Sequence, residues 1–578
     1  MAEVRSELIR ALPGMLEEHA ARTGDKIAFQ DARRAVGYAD LEQRTGRLAG
    51  HLTRLGVRPG DRVALHLGNR VEQVESRLAV LRAGAVGVPL DPGATDAELA
   101  YFLDDSGAVA IVTEGTLLPR VSRLAAERPE LRVVLVGADE LPAGAPDGAL
   151  VFEELARTDP GLAPRDDLGL DEPAWILYTS GTTGQSKGVV TTQRAALWSV
   201  AAGYVPSYGL ESSDRLLWPL PMFHTYAHSL CVLGVIAVGA SAYLLDRGVQ
   251  GVRGTRSGRG ARGANLAEAL AEQPCTVLAG VPATYHLLVD TLRRTPRPLP
   301  RPRVCVSAGA PCPPQLRAEV EELLGAPLLD GYGSTETCGK IAVDRLDGPR
   351  ADGSSGAPLP GVTVRLTDPS SGHEAAEGEE GEIWVRGPNL MSGYHNRPEA
   401  TARVLRDGWY RTGDLGRRVA HGHLKVTGRV KELIIRGGEN VNPAEVEETL
   451  LTCPGVADAA VLGRPHDVLG EVPVAMVVPG PGGVDTARLL EVCRERLSAF
   501  KVPDEVYETA SVPRTPSGKI LRPELAHELA ERLDRAREMA SAALRERLLS
   551  LSADSGRDTV LRLVLDLTAH TVGVPSQS

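Results

Sequence analysis

From Asp61 onward the apolar positions fall into short runs, separated by stretches in which they recur at helical spacing. Residues 62–67, 84–88 and 108–112 predict strands, and residues 70–82 and 96–105 predict the helices between them. Residues 174–178 predict a further strand. Strand–helix alternation of this kind specifies a doubly wound α/β layer structure with parallel strands. Such sheets place their ligands beyond the C-terminal ends of the strands. A second α/β pattern occupies residues 428–522, with strands at 432–435, 457–462 and 472–478 and a helix at 443–451. About 100 residues suffice for one small domain, and a flexible joint is expected near Gly428. The fold class expected is therefore α/β: a large N-terminal domain of layered mixed and parallel sheets with helices (residues 1–428), and a small mobile α/β C-terminal domain (429–530).

Two segments depart from this pattern. Residues 247–263 hold five arginines and six glycines with almost nothing apolar to bury, which predicts a solvated, disordered surface loop rather than an RNA-binding tract. The tail, residues 531–578, begins with a charged helix at 531–551, and residues 559–568 place apolar side chains at helical spacing. An apolar helix at a terminus needs a partner to cover it.

Composition narrows the function classes. A chain of 578 residues predicts several cores, roughly three to five at about 150 residues each. Its 43% hydrophobic and 24% charged residues are those of an ordinary globular protein, and a net charge of −11 disfavours a general nucleic-acid binder. The seven cysteines are scattered with no metal-ligand spacing, which suits a reducing compartment. The N-terminus carries early acids and no apolar signal core. The apolar run at 230–245 contains Gly and Ser and is shorter than the ~20 residues a span requires, so it reads as a buried helix leading into a strand. A cytoplasmic protein without a membrane span is expected.

The chemistry concentrates first in the stretch from Tyr178 to Val190. Thr179, Ser180, Thr182, Thr183 and Ser186 supply hydroxyl donors, Gly181 and Gly184 let backbone N–H groups turn inward, and Lys187 supplies the charge. That combination suits a polyphosphate. A Walker A loop needs Gly-Lys followed by Ser or Thr, whereas Gly188 follows the lysine here.

Further motifs follow in order: Pro221-Met-Phe-His-Thr-Tyr-Ala-His228, Ser307-Ala-Gly-Ala-Pro311, Asp330-Gly-Tyr-Gly-Ser-Thr-Glu336, Tyr410-Arg-Thr-Gly-Asp414, Gly428-Arg-Val-Lys-Glu432, Gly437-Gly-Glu-Asn-Val-Asn-Pro443 and Pro513-Arg-Thr-Pro-Ser-Gly-Lys519. Each alone is weak. In this order, over about residues 20–525, they closely resemble the adenylate-forming superfamily of acyl- and aryl-CoA ligases, nonribosomal adenylation domains and luciferases.

The resemblance implies two half-reactions. A carboxylate attacks the α-phosphate of ATP to give an acyl-adenylate and pyrophosphate, and a phosphopantetheine thiol of coenzyme A or a carrier protein then takes the acyl group. Bringing two anions together is the difficulty of the first half, so catalysis rests on positioning and cationic screening. The resemblance implies that Thr179–Lys187 hold the β- and γ-phosphates, Glu336 holds Mg²⁺ and Thr335 donates to the α-phosphate. It implies that Tyr332 stacks on adenine, with Gly309, Ala310, Pro311, Asp330, Gly331 and Gly333 around it. Asp414 accepts the ribose hydroxyls, a task that suits paired carboxylate oxygens, and Arg429 assists. Lys519 bridges carboxylate and α-phosphate in the first half only. Lys431 is the hinge about which the small domain rotates. Lys187, His224, Thr335, Glu336 and Lys519 are the catalytic set.

The substrate reading rests on His224, Tyr226, His228 and Gly309, the expected acyl pocket. Amino-acid-activating members of the family usually carry aspartate at the position of His224, so an α-amino acid is disfavoured. Two imidazoles and a phenol suggest a small polar acid, aromatic or cyclic; a medium- or long-chain fatty acid is the alternative. The tail from Leu544 through Gly573 resembles the run-in and first helix of a polyketide-synthase carrier domain, and stops before an Asp-Ser-Leu attachment site. That implies a loading-type ligase supplying a starter unit; a C-terminal helix that pairs two copies into a homodimer is the alternative. A luciferase-like oxygenase and a catalytically silent nucleotide-binding scaffold complete the rivals, and the full set Lys187, Glu336, Asp414 and Lys519 argues against the scaffold.

Overall fold

In the computed structural model, the described residues are 3–179, 186–246, 259–437, 439–466, 468–515 and 519–549. They divide into two compact units, one up to Lys431 and the other from Glu432 onward.

An eight-stranded sheet in the first unit runs in the order Gly393–Tyr394, Lys187–Thr192, Pro173–Thr179, Val86–Pro89, Arg62–His66, Ala108–Glu114, Arg132–Val136, Leu150–Val151. From Pro173–Thr179 to Leu150–Val151 every neighbouring pair is parallel. Successive side chains alternate between two cores. Val63, Leu65, Ala110, Val112, Val134 and Val136 enter one, with Leu48 and Val80 from helices. Ala64, Ile111, Val133 and Leu135 enter the other, with Leu99 and Val121. Helices on both faces explain why these strands read as continuous apolar runs.

A nine-stranded sheet runs Ala357–Pro358, Ala342–Val343, Leu328–Tyr332, Val304–Ala308, Val277–Gly280, Arg215–Trp218, Ser241–Leu244, Ile27–Gln30, Ala35–Gly37, and its central strands are parallel. A five-stranded antiparallel sheet, built on Thr363–Thr367, Gly381–Arg386, Trp409–Arg418, Leu405–Arg406 and Leu424–Arg429, completes this unit. The second unit is one five-stranded sheet. Its long strands Val456–His466 and Gly470–Pro479 are antiparallel, and Glu505–Glu508 pairs parallel to the latter. The helix expected at 443–451 is Pro443–Leu451, capped by the Asn442 side chain on the Ala444 N–H.

Two expectations are revised, and the reading of residues 230–245 as a buried helix leading into a strand holds. Residues 259–263 are not loop: the helix Arg259–Glu272 begins there, because the apolar spacing downstream of Gly263 extends helix N-terminally; residues 247–258 lie outside the described residues. The terminal helix begins at Arg522 rather than 531 and runs to Leu549, through residue 530, since no glycine or internal proline past Pro523 interrupts it. The 230–245 run holds a π-helical stretch, Ala227–Gly234, and the helix Val235–Val238 before the strand Ser241–Leu244. The tail segment at 559–568 lies outside the described residues. Among the described residues no helix is long and apolar enough to cross a membrane.

Candidate active site

Parallel pairing of Val304–Ala308 with Leu328–Tyr332 sets Ser307 opposite Asp330 and Ala308 opposite Gly331. The segments Gly309-Ala310-Pro311 and Gly333 to Glu336 therefore leave the same sheet edge side by side. Gly309 adopts φ 87°, the left-handed region that favours glycine, and turns the chain off its strand. Gly331 and Gly333 have steric reasons. A β-carbon at Gly331 would lie 2.2 Å from Lys340 Nζ, and one at Gly333 would lie 2.3 Å from the Gly339 carbonyl oxygen. Asp330 is buried beneath them. Its Oδ2 accepts from Ser355 Oγ at 3.1 Å, and burial raises its carboxyl above the ordinary range.

Antiparallel pairing of Trp409–Arg418 with Leu424–Arg429 sets Asp414 opposite Arg429. Arg429 Nε meets Asp414 Oδ1 at 2.9 Å, and the Tyr332 hydroxyl donates to Oδ2 at 2.7 Å. The adenine-side tyrosine and the ribose-side carboxylate of the sequence reading thus touch. Burial first, then the Asp414 charge, pushes the Tyr332 phenol well above its usual value, so it stays a donor.

The phosphate-loop residues Ser180, Gly181, Thr182, Thr183 and Gly184 lie outside the described residues. The strands flanking them are antiparallel and place Thr179 opposite Lys187. The return of the loop is pinned by Tyr101, whose hydroxyl donates to the Ser186 carbonyl at 2.6 Å. Lys187 Nζ stands over the Tyr394 ring, 5.1 Å from its centroid, and the Tyr394 hydroxyl donates to Glu336 Oε1 at 2.9 Å. One tyrosine therefore holds together two charged residues 149 positions apart in sequence (336 − 187). Glu336 lies in the short 3-10 turn Thr335–Thr337, which directly follows the strand end. Sequence reasoning missed both Tyr101 and Tyr394. For the latter the available signal was Gly393-Tyr394, an aromatic following a glycine that pairs across to Val190.

On the acyl side, His224 Nδ1 accepts from the Tyr226 backbone N–H at 3.2 Å. The loop before it is held from below. Asn69 Oδ1 accepts from Met222 N at 3.0 Å, Asn69 Nδ2 donates to Leu220 O at 2.8 Å, and Arg77 Nη2 donates to Met222 O. His228 is held through one ring nitrogen: its Nδ1 lies 3.0 Å from Arg77 Nη1, its ring packs 4.3 Å from Trp175, and its Nε2 is buried without a hydrogen-bond partner among the described residues. Burial, and secondarily the Arg77 charge, holds the His228 imidazole well below its usual pKa, so it is neutral and accepts from the guanidinium. Burial pulls Arg77 itself down to about 9.

Lys431 is exposed in the 3-10 turn Val430–Glu432. Lys519, in the second unit, is exposed; its carbonyl accepts from the Thr515 N–H at 2.7 Å, and Arg514 forms a bridge with Ile520. Among the described residues no cluster of three His, Cys, Asp or Glu side chains could cage a metal. A single carboxylate at Glu336 instead fits Mg²⁺, which is commonly held by one or two carboxylates, substrate phosphates and water.

Residues 16–395 match the family model described as AMP-binding enzyme, and residues 445–519 match that of its C-terminal domain. The chain is 41% identical over 536 residues to "Chalcone synthase cfoA" of Aspergillus candidus, covering 89% of this chain but 18% of that protein. It is 38% identical to "Feruloyl-CoA synthase" of Amycolatopsis sp, covering 85% of this chain and 93% of the relative. The solved anthranilate CoA ligase AuaEII in complex with anthranoyl-AMP superposes with a TM-score of 0.79 at 25% identity, over 90% of this chain and 97% of that one. The chain spans about a fifth of the length of the first curated relatives it matches.

Proposed function

This chain belongs to the AMP-binding enzyme family, and on that premise we propose that it activates a carboxylic acid with ATP and then forms a thioester on a phosphopantetheine thiol. The carrying observation is the convergence of Lys187 and Glu336 on Tyr394. A cation and a carboxylate held side by side suit a magnesium–polyphosphate: the lysine would take phosphate charge, and Glu336 would hold Mg²⁺, which supplies charge neutralisation when bound. Thr335 would donate to the α-phosphate. Asp414, oriented by Tyr332 and Arg429, would accept the ribose hydroxyls, and Gly309, Ala310 and Pro311 would border the adenine. His224 would stand beside the acyl group. Lys519 would approach the reacting carboxylate from the small domain, turning about Lys431, and withdraw for the thiol.

The acid we propose is a small aryl, cyclic or otherwise polar one, activated as a starter unit for polyketide assembly and accepted by coenzyme A or a carrier protein. Support comes from relatives named for feruloyl-CoA and chalcone formation and from a neighbour holding an aryl adenylate. The test is pyrophosphate release over a panel of acids, with free coenzyme A and a carrier protein as separate acceptors. Acid-dependent release is expected; its absence with every acid would sink the reading.

Asp414→Asn removes the charge but keeps the shape. A hydrogen bond to a charged group contributes about 1.5–3 kcal/mol, so the apparent KM for ATP should rise by roughly 10- to 100-fold. The same change should erase most of the penalty that 2′- or 3′-deoxy-ATP suffers in the wild type, because both alterations remove one interaction. Additive penalties would place the ribose elsewhere.

A further inference from the structure

Lys340 is fully buried, and among the described residues its Nζ has neither a hydrogen-bond partner nor an ion pair. It sits between two aromatic rings, 5.3 Å from the Tyr226 centroid and 5.6 Å from that of Tyr204. The Tyr226 hydroxyl is likewise buried without a partner. Asp330 and Asp344 attract the ammonium through space, but neither bonds it: Asp330 Oδ2 is engaged by Ser355 and Asp344 Oδ2 by Arg317, and both Oδ1 atoms are buried without a hydrogen bond among the described residues. Burial outweighs that attraction and pulls the Lys340 ammonium down to about 8, so a buried ammonium with no hydrogen-bond acceptor is left incompletely offset, and the unpaired hydroxyl adds to the cost. Cation–π contact with two tyrosines offsets only part of that cost.

Two further features mark the place. Lys340 Nζ packs against Gly331, on the strand that leads into Tyr332, Thr335 and Glu336. Its two tyrosines sit at π-helical turns: Tyr204 ends Val200–Tyr204, and Tyr226 precedes Ala227–Gly234. Such turns are rare and often occur at functional sites. Tyr226 is also two residues beyond His224, beside which the acyl group is placed.

We propose that Lys340, together with the Tyr226 hydroxyl, receives an oxygen carried on the far end of an aryl acid substrate, and thereby selects which acids are activated. The assignment rests on the acid-activating reading above. The aromatic surround favours a ring between the carboxyl and that oxygen, and a phenolic oxygen can both accept from the ammonium and meet the Tyr226 hydroxyl. The sequence places Tyr226 in the expected acyl pocket, but Lys340 reads there only as one of seven dispersed lysines.

The test compares cinnamate, 4-hydroxycinnamate, 4-methylcinnamate and 4-carboxycinnamate in acid-dependent pyrophosphate exchange. The same acids are also titrated calorimetrically with a non-hydrolysable ATP analogue present, which needs no turnover. A site built to bond an oxygen rejects the analogue lacking it, so the wild type should prefer the 4-hydroxy acid over the 4-methyl acid by at least about tenfold in both assays. Lys340→Met should bring that ratio close to one while still turning over the 4-methyl acid, and Tyr226→Phe should lower it by several-fold, which covers a methionine variant that fails to fold. A preference for the 4-carboxy acid that Lys340→Met abolishes would keep the lysine's role but overturn the phenol as its ligand. Equal use of hydroxy and methyl acids by the wild type, or an unchanged ratio in both variants, would overturn the inference and leave the acid-activating reading standing. A calorimetric preference lost in the variants, with no exchange for any acid, would do the reverse.

Discussion

Lys519→Ala is expected to lower acid-dependent pyrophosphate exchange by about 10²–10³-fold, the usual effect of deleting one group that stabilises developing charge. Thioester formation from supplied acyl-adenylate should remain within a few-fold of wild type. The reason is electrostatic. In the first half-reaction a carboxylate must approach a phosphate, and a lysine between them offsets their repulsion only while both are anionic. Once the adenylate has formed, the attacking thiol meets a neutral acyl carbon, and a cation there has little left to do. Lys519 is exposed, and the backbone beside it is held by the Thr515 contact and the Arg514–Ile520 bridge. Rapid-quench measurement of each half-reaction checks the split. Equal loss in both halves would remove the alternating-domain reading, and a Lys431→Pro variant that slowed only the second half would support it.

What the sequence made legible follows from how local each determinant is. The short apolar runs at 62–67 and 108–112 produce the strands observed, buried on both faces, and Pro443 with Asn442 before it fixes a helix start within three residues of information. The ordered motifs identified the residues at the strand ends, because glycine placement there answers a short-range steric demand. The Tyr332–Asp414 contact, by contrast, joins residues 82 apart, and the Lys187–Tyr394 contact spans 207. No local pattern encodes such meetings; sheet topology creates them. Orphaned groups such as Lys340 Nζ are harder still, because what distinguishes them is a missing partner in three dimensions. His228 shows the same limit from the other side: nothing local to a histidine four residues from His224 reveals that Arg77 engages one of its ring nitrogens.

Glu75→Ala is expected to destabilise the first unit by about 3 kcal/mol, the low end of the cost of breaking a buried ion pair. The helix Val71–Arg82 is buried at every position although it carries Glu72, Glu75, Arg77 and Arg82. A helix buried all round must satisfy its charges internally. Glu75 does so by meeting Arg44 Nε at 2.6 Å and Arg34 Nη1 at 3.2 Å. Burial nonetheless holds its carboxyl above the ordinary range, so the two arginines do not fully offset desolvation. Removing the carboxylate leaves Arg44 only Glu153, at 2.8 Å, which is why the low end is expected. Glu75→Gln, which keeps the shape and the acceptor, should lose less. All five tryptophans (Trp175, Trp198, Trp218, Trp384 and Trp409) lie before Lys431, so urea unfolding followed by tryptophan fluorescence reads this unit alone. A change under about 0.5 kcal/mol, typical of surface substitutions, would show that the network contributes nothing. Arg77 lies two residues on, about 200° around the helix, where it holds Met222 and His228. The helix is thus clamped by charge on one side and clamps the acyl loop on the other. Loosening the first clamp should therefore raise KM for the acid at temperatures where the fluorescence still reports a folded chain, while KM for ATP stays constant.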